Sequence, residues 1–353
     1  MNASLPSYAD APRIVIWEMT RACALACRHC RAAAIPQRHP LELTTTQAFA
    51  LVDAVVECSP AAFILTGGDP FMRADIVTIV EYAVAHGLRT AVSPSATGRL
   101  TPASLRALSA AGCKRISLSL DAPDAASHDA FRGVRGSFER TLRGVRAARE
   151  AGLEVQINTT ISRFNHTRID EMAGVLRGLD IVLWSLFFLV PVGRATERDV
   201  LNASETERAF AQLHRLSGEL PFDLKTTEAP HYRRYLLQHG DAASLAKRIP
   251  AIGDGKGFVF VSHLGEICPS GFLPYVVGNV RTDRLLDVYR GHPIMRRLRA
   301  PDTFGGKCGV CEYREICGGS RSRAYTMTGD AFASEPSCAY VSPAWSALAA
   351  SPC

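Results

Sequence analysis

From Ile14 to about Val190, short apolar runs alternate with stretches in which apolar residues return every three or four positions. The runs Ile14–Trp17, Phe63–Thr66, Thr90–Ser93, Arg115–Leu120, Val155–Thr160 and Val182–Leu189 have the length and content of strands. Between them Thr46–Glu57, Ile76–His86 and Pro102–Ala111 carry the helical period. The pairs His86-Gly87, Ala111-Gly112 and Ala151-Gly152 supply the glycine that stops a helix. Six strand–helix repeats predict a parallel sheet with right-handed crossovers and helices outside. Six units, where a closed barrel has eight, predict an α/β fold of partial, TIM-like (β/α)6 type, with its chemistry at the C-terminal ends of the strands. Strand four, Ile116-Ser-Leu-Ser-Leu120, alternates apolar with polar, so its serines share one face. That predicts a lined cavity inside the barrel instead of a packed interior.

Past the barrel (residues 13–200), the pattern becomes helical and polar over 201–252, read as a bridge. After Gly253-Asp254-Gly255 the composition shifts. A short β pair, Gly257–Val261 and Glu266–Cys268, leads into a glycine- and cysteine-rich tail, so 253–345 is expected to form a small unit of its own.

The 353 residues, 47% apolar and 21% charged, describe an ordinary globular chain with room for one sizeable core and an appendage. The net charge is +6, and only five of the forty basic residues are lysines. Arginines suit planar carboxylates and phosphates, but no basic run is interleaved with aromatics, so no nucleic-acid partner is expected. The N-terminal stretch MNASLPSYADAPR lacks the basic and apolar regions of a signal peptide. The longest apolar run, Ile181–Val192, is far short of a membrane span. A cytoplasmic protein without a membrane partner is therefore expected, and in that compartment eleven cysteines more often hold metal than disulfides.

Cys23-Ala-Leu-Ala-Cys27-Arg-His-Cys30 places three cysteines in the loop after the first strand. Three thiolates from one loop can hold three irons of a cubane and leave the fourth iron open, and an open position distinguishes a catalytic site from a closed structural one. The competing readings are a zinc site short of one ligand and cysteines without a role. This motif, after strand one of a repeated β-α domain, resembles the radical S-adenosylmethionine (AdoMet) superfamily over roughly residues 13–190. The resemblance implies an AdoMet-binding [4Fe–4S] cluster on Cys23, Cys27 and Cys30, reductive cleavage of AdoMet to a 5′-deoxyadenosyl radical, and a flavodoxin- or ferredoxin-type reductant.

Glycines let a backbone approach a ligand closely, which is the expectation for Gly67 and Gly68 in Thr66-Gly-Gly-Asp-Pro70 at the end of strand two. The following Asp69 can accept from an ammonium group. The family's usual residue there is Glu, so any role for the Asp69 side chain is in doubt. In Ser93-Pro-Ser95-Ala-Thr97, and at Ser119, hydroxyls are placed to line the AdoMet pocket. The resemblance further implies that Arg132 sits near the AdoMet carboxylate, that Asn158 and the backbone of Leu189 contact ribose and adenine, and that His29 sets its ring against the adenine.

In the tail, Cys308-x2-Cys311-x5-Cys317-x20-Cys338 supplies four thiolates, enough to close either a zinc site or a [4Fe–4S] cluster. The stretch from Cys317 to Tyr340 resembles the SPASM tails of anaerobic heme synthases and of mycofactocin-type peptide maturases, which implies the cluster. It departs from the full SPASM pattern at Arg321, where that pattern has a cysteine, and after Gly278, where a further cysteine is missing. One auxiliary [4Fe–4S] cluster is therefore expected. Cys268 remains either a ligand or substrate-facing thiol or a packed one; Cys58 and Cys113 read as buried small hydrophobes, and Cys353 as a disordered end.

The expected activity is hydrogen abstraction from a substrate held between barrel and tail. A propionate-bearing tetrapyrrole is favoured slightly, because His231, Arg233 and Arg234 just past the barrel offer a ring donor and a guanidinium pair for carboxylates. A ribosomally made peptide is the alternative. A zinc-ribbon binding protein is the remote one.

Overall fold

Each predicted strand forms in the computed structural model, which describes residues 8–241, 243 and 251–350. The strands β1 (Ile14–Glu18), β2 (Ala62–Thr66), β3 (Thr90–Val92), β4 (Arg115–Ser119), β5 (Glu154–Ile161) and β6 (Leu183–Phe188) lie parallel in chain order. The crossovers run through α1 (Thr45–Cys58), α2 (Ile76–Ala85), α3 (Pro102–Ala110), α4 (Ala125–Arg132), α5 (Ser137–Glu150) and α6 (Ile169–Arg177). Local chemistry sets the ends of these helices. Thr44 and Gln47 form a capping box at the start of α1, and Pro102 opens α3 where its missing N–H costs nothing.

The sheet continues past both edges of the predicted set. β7 (Asp223–Thr227) pairs parallel with β6, and β8 (Phe258–Val261) pairs parallel with β1. Two antiparallel strands, β9 (Glu266–Cys268) and β10 (Gly278–Asn279), follow β8, giving the order β10-β9-β8-β1-β2-β3-β4-β5-β6-β7. The stretch read as a helical bridge thus contains α7 (Ala203–Ser217), β7 and α8 (Tyr232–Gln238), while its residues 244–250 lie outside the described set. Sequence periodicity passes over β7 because Asp223-Leu-Lys-Thr-Thr buries only Leu224. The register between β8 and β1 carries the sheet across the expected boundary near residue 252.

Alternation along the strands divides their side chains. Val15, Trp17, Phe63, Leu65, Ile116, Leu118, Val155, Ile157, Trp184, Leu186 and Leu224 join the main core with residues of the surrounding helices. The opposite face lines the lumen. There the register aligns Ser119 with Asn158, Asn158 with Ser185 and Ser185 with Lys225, a polar row across β4 to β7. The tail has a smaller core of its own, Leu273, Leu298, Phe304, Ala331 and Phe332. No helix among the described residues is long and apolar enough to cross a membrane.

Candidate functional site

The loop after β1 buries Cys23 and Cys27 and half-buries Cys30. Its path is set by what packs beneath it. The Gly68 amide donates to Thr20 O at 2.7 Å and the Asp69 amide to Ala22 O at 2.8 Å. A Cβ on Gly67 would stand 2.5 Å from Thr20 O, and one on Gly68 2.5 Å from Ala22 O. The glycine pair therefore seats the cysteine loop on the end of β2. Asp69 is fully buried and turns inward: it accepts from Thr97 Oγ1 at 2.8 Å and from the amides of Phe71 at 3.2 Å and Ser95 at 3.4 Å. These donors hold the carboxylate in place. Ser95 Oγ in turn donates to Gly68 O at 2.8 Å and lies 3.5 Å from Cys23 Sγ.

The other side of the loop rests on the C-terminus of α4. Amides of Ala26 and Arg28 donate to the carbonyls of Arg132 and Phe131, filling acceptors that a helix end leaves open. Gly133 ends α4 at φ +69°, and a Cβ there would meet Ala26 O at 2.7 Å. This junction brings Arg132 to the first thiol set: its Nη1 is 3.6 Å from Cys27 Sγ and its Nη2 is 2.5 Å from Asp121 Oδ2. Asp121, just past β4, is fully buried; burial works against its charge, but Arg132 outweighs that and holds its carboxyl below the usual range. His29 stacks on Phe131 at 4.3 Å, and Phe131 stacks on Phe164 at 4.6 Å. Burial pushes the His29 imidazole down to about 4, so the ring is neutral. Arg194 closes the loop from the far side, donating to Cys27 O at 2.8 Å and Ala34 O at 3.1 Å.

The remaining predicted positions border the same lumen. Ser93 follows β3 with its amide on Leu65 O, and Ser119 ends β4. Asn158 Oδ1 accepts from Gln156 Nε2 at 2.7 Å. Leu189 follows β6 with its backbone already engaged: its amide donates to Ile161 O, and its carbonyl accepts from Arg323 Nε at 3.3 Å. Lys225 projects into the lumen, exposed to solvent yet surrounded by walls; burial, then Arg233 and Arg115, lower its pKa. No carboxylate among the described residues pairs with it.

The four tail cysteines Cys308, Cys311, Cys317 and Cys338 line one small cavity, partly open to solvent, with His231, Lys307 and Glu335. Protein donors already point at two of the sulfurs. The Glu335 amide reaches Cys308 Sγ at 3.3 Å, and the Gly319 amide reaches Cys317 Sγ at 3.4 Å. Arg321, which stands where the resembling pattern has a cysteine, sets Nη2 3.6 Å from Cys308 Sγ and anchors its other amine on Ala331 O and Ala333 O. Cys268 lies away from this set on β9, only 5% exposed, and burial pushes its thiol up to about 12. Cys58 and Cys113 pack in the main core, and Cys353 lies outside the described residues.

The stretch Glu228–Arg234 does not present its cations to a substrate. Arg233 donates to Ile316 O and Ile252 O, and Arg234 pairs with Glu207 beside the ring of Tyr340. These guanidinium groups join tail to barrel. The strongest such joint, unforeseen in the sequence, is Arg323: 1% exposed, it donates to Phe188 O, Leu189 O and Glu228 O and pairs with Glu335 at 3.0 Å. Glu228, at φ +57° just after β7, accepts from Ser320 Oγ at 2.5 Å; burial and then Asp254 push its carboxyl up to about 8. The run Arg321-Ser-Arg323 after Cys317 is the only sequence signal for this joint, and only the fold shows which strands it reaches.

Residues 17–176 match the family model described as the radical SAM superfamily. The chain is 40% identical to the AdoMet-dependent heme synthase of Nitratidesulfovibrio vulgaris, over 93% of this chain and 92% of that one. It is 30% identical to mycofactocin maturase MftC of Mycobacterium ulcerans, over 91% and 85%. Among solved structures, Streptococcus suis SuiB bound to S-adenosylmethionine has the same fold, with a TM-score of 0.74 over 94% of this chain and 78% of that one at 16% identity.

Proposed function

This chain belongs to the radical SAM superfamily, and we propose that Cys23, Cys27 and Cys30 hold the AdoMet-activating [4Fe–4S] cluster of an enzyme that modifies propionate side chains of a tetrapyrrole. Cys308, Cys311, Cys317 and Cys338 hold one further [4Fe–4S] cluster in this proposal.

The residues fit both groups. The first loop offers three thiols beside the Arg132 cation and opens on a polar lumen, which suits a cluster with one iron left for AdoMet. In the tail, four thiols line one cavity, with amides of Gly319 and Glu335 and the Arg321 guanidinium directed at two of the sulfurs. Four thiolates with donors to sulfur suit a four-iron cluster, and the likeness to radical SAM enzymes favours it over a four-thiolate zinc site.

Cys23, Cys27 and Cys30 would hold a cluster that, when reduced, would supply one electron for the reductive cleavage of AdoMet, the chemistry from which hydrogen abstraction would follow. The chain's own groups position what reacts. Asp121 fixes Arg132 beside Cys27, the row Ser119–Asn158–Ser185 offers hydroxyl and amide groups to a ribose, and Lys225 offers a cation to a substrate carboxylate. An external one-electron donor of flavodoxin or ferredoxin type completes the proposal.

The observation that carries the substrate is the near-full-length likeness to an AdoMet-dependent heme synthase. The likeness to MftC supports a second reading, a peptide substrate. Anaerobically reconstituted enzyme, given AdoMet, a reductant and an iron porphyrin bearing propionates, should form 5′-deoxyadenosine while the porphyrin loses hydrogen and carbon dioxide by mass. An unchanged porphyrin mass, with no porphyrin-dependent rise in 5′-deoxyadenosine, would give the peptide reading precedence.

A further inference from the structure

His231 immediately precedes α8, and its ring is fully buried. Neither ring nitrogen has a hydrogen-bond partner. A buried polar group left unpaired costs about 1–3 kcal/mol, and native chains seldom retain one without a use. The ring is held edge-on against Phe210 at 4.9 Å and lines the four-thiol cavity.

Apart from the Nε donors of Arg234 and Arg314, the other charged groups on that wall are already engaged. Lys307 Nζ donates to Cys338 O, Arg234 pairs with Glu207, Glu335 pairs with Arg323, and the Tyr340 hydroxyl bonds Glu312. The acceptor that His231 lacks is therefore absent from the protein wall. An iron–sulfur cluster carries sulfur acceptors, and an imidazole in either tautomer has at least one N–H.

We propose that His231 donates a ring N–H hydrogen bond to the cluster held by Cys308, Cys311, Cys317 and Cys338, and so sets the reduction potential of that cluster. The inference rests on the reading of the tail cavity as a cluster site. Hydrogen bonds to cluster sulfurs stabilise the reduced, more negative form and raise its potential. His231 acts here as a positioning residue for electron transfer, without ligating iron.

The test uses full-length chain reconstituted with iron and sulfide, as wild type, His231→Phe and His231→Gln, with the potential of the tail cluster followed by EPR during a redox titration. Pulsed EPR in H2O and D2O counts exchangeable protons coupled to that cluster. His231→Phe should keep its iron, lose one strongly coupled exchangeable proton, and shift the one-electron equilibrium about tenfold toward the oxidised form, ~59 mV. His231→Gln, which keeps an N–H, should recover part of both. Unchanged potential and proton coupling in an iron-replete His231→Phe protein would overturn the inference and leave the cluster reading standing. Wild type with zinc, or with no iron in the tail, would overturn the cluster reading itself. If His231→Phe fails to retain iron, His231→Gln decides: full iron with the potential and coupling near wild type supports the hydrogen bond, and full iron without the proton refutes it.

Discussion

Three thiols in the loop after β1 face an open lumen, whereas four in the tail face a wall in which nearly every polar group is tied to another protein group. Around the first set the fixed partners lie behind the loop: Gly68, Asp69, Arg132 and Arg194 hold its backbone, and the side beyond carries Ser119, Asn158, Ser185 and Lys225. Around the second, amides of Gly319 and Glu335 and the Arg321 guanidinium already point at sulfur, and among the described residues His231 is left with both ring nitrogens unpaired. Donor number and surroundings agree. Three donors with a free side suit a centre that must bind and react, and four donors in a tied wall suit a centre that only exchanges electrons.

The largest test of this division removes one set at a time. Replacing Cys23, Cys27 and Cys30 together by Ala should lower iron from about eight to about four per chain and reduce 5′-deoxyadenosine formation to background. Iron near twelve in wild type would mean a third cluster with ligands outside the two sets. Cys308→Ala or Cys338→Ala should do the reverse, loosening the tail because its five-residue core is small and cluster binding there is also folding. AdoMet cleavage without substrate should largely persist in those variants. Its disappearance while the first cluster stays intact would end the two-site account.

A smaller effect probes how the two regions are joined. Arg323→Met leaves Glu335 charged and buried without its partner, so unfolding of the reconstituted protein should move by about 3–5 kcal/mol. Burial opposes the Glu335 charge, yet Arg323 and its neighbours hold the carboxyl down to about 2, below its ordinary 4.5. The stability from that shift is present above pH 4.5 and lost as pH falls toward 2. Glu335→Gln should flatten the dependence in that window, as seen by urea titration at several pH values. A loss under 1 kcal/mol for Arg323→Met would show that the sheet pairing of β8 with β1 suffices to hold the tail.

How much of this was readable in advance follows the physics of each signal. Strands β1 to β6 announced themselves because each buries a face under its own helix, and the cysteines because thiol spacing is explicit in sequence. β7 did not, since its lumen face is polar and it buries only Leu224. Gly67 and Gly68 read as a place of close approach, and the structure adds a contact with the cysteine-loop backbone that no local pattern names. Arg233 and Arg234 looked like substrate clamps because sequence shows charge and not what neutralises it. Arg323 and Asp121 were missed for the same reason: their partners lie 11 to 135 residues away.

The contact of Gly67 and Gly68 with the cysteine loop makes the β2 turn a finer test. Gly68→Ala would push its Cβ into Ala22 O, so the variant should lose iron from the first cluster along with AdoMet affinity. Full iron with normal AdoMet binding would show that the loop relaxes. Asp69→Glu adds a methylene to a fully buried, triply bonded carboxylate and should cost about 1–3 kcal/mol. A thermal midpoint equal to wild type would mean that the turn has room for the longer acid.

The smallest expected effect concerns the open side of the first site. Lys225 ends the row that begins at Ser119, on the strand beside the tail, and the lumen walls and two arginines disfavour its charge without supplying an anion. A substrate carboxylate would relieve that, and losing the contact should raise KM about tenfold, ~1.4 kcal/mol, in Lys225→Gln with little change in kcat. Lys225→Arg should recover only part, because a planar fork replaces a compact ammonium. The decisive comparison pairs protein and substrate changes in one cycle: an iron porphyrin with free propionates against one with propionates esterified next to the reacting chain. For the free acid the Gln variant should bind more weakly than wild type, and for the ester the two proteins should match. Equal penalties for acid and ester would mean that Lys225 shapes the lumen without reading charge, and the anionic end of the substrate would then have to be sought on the tail.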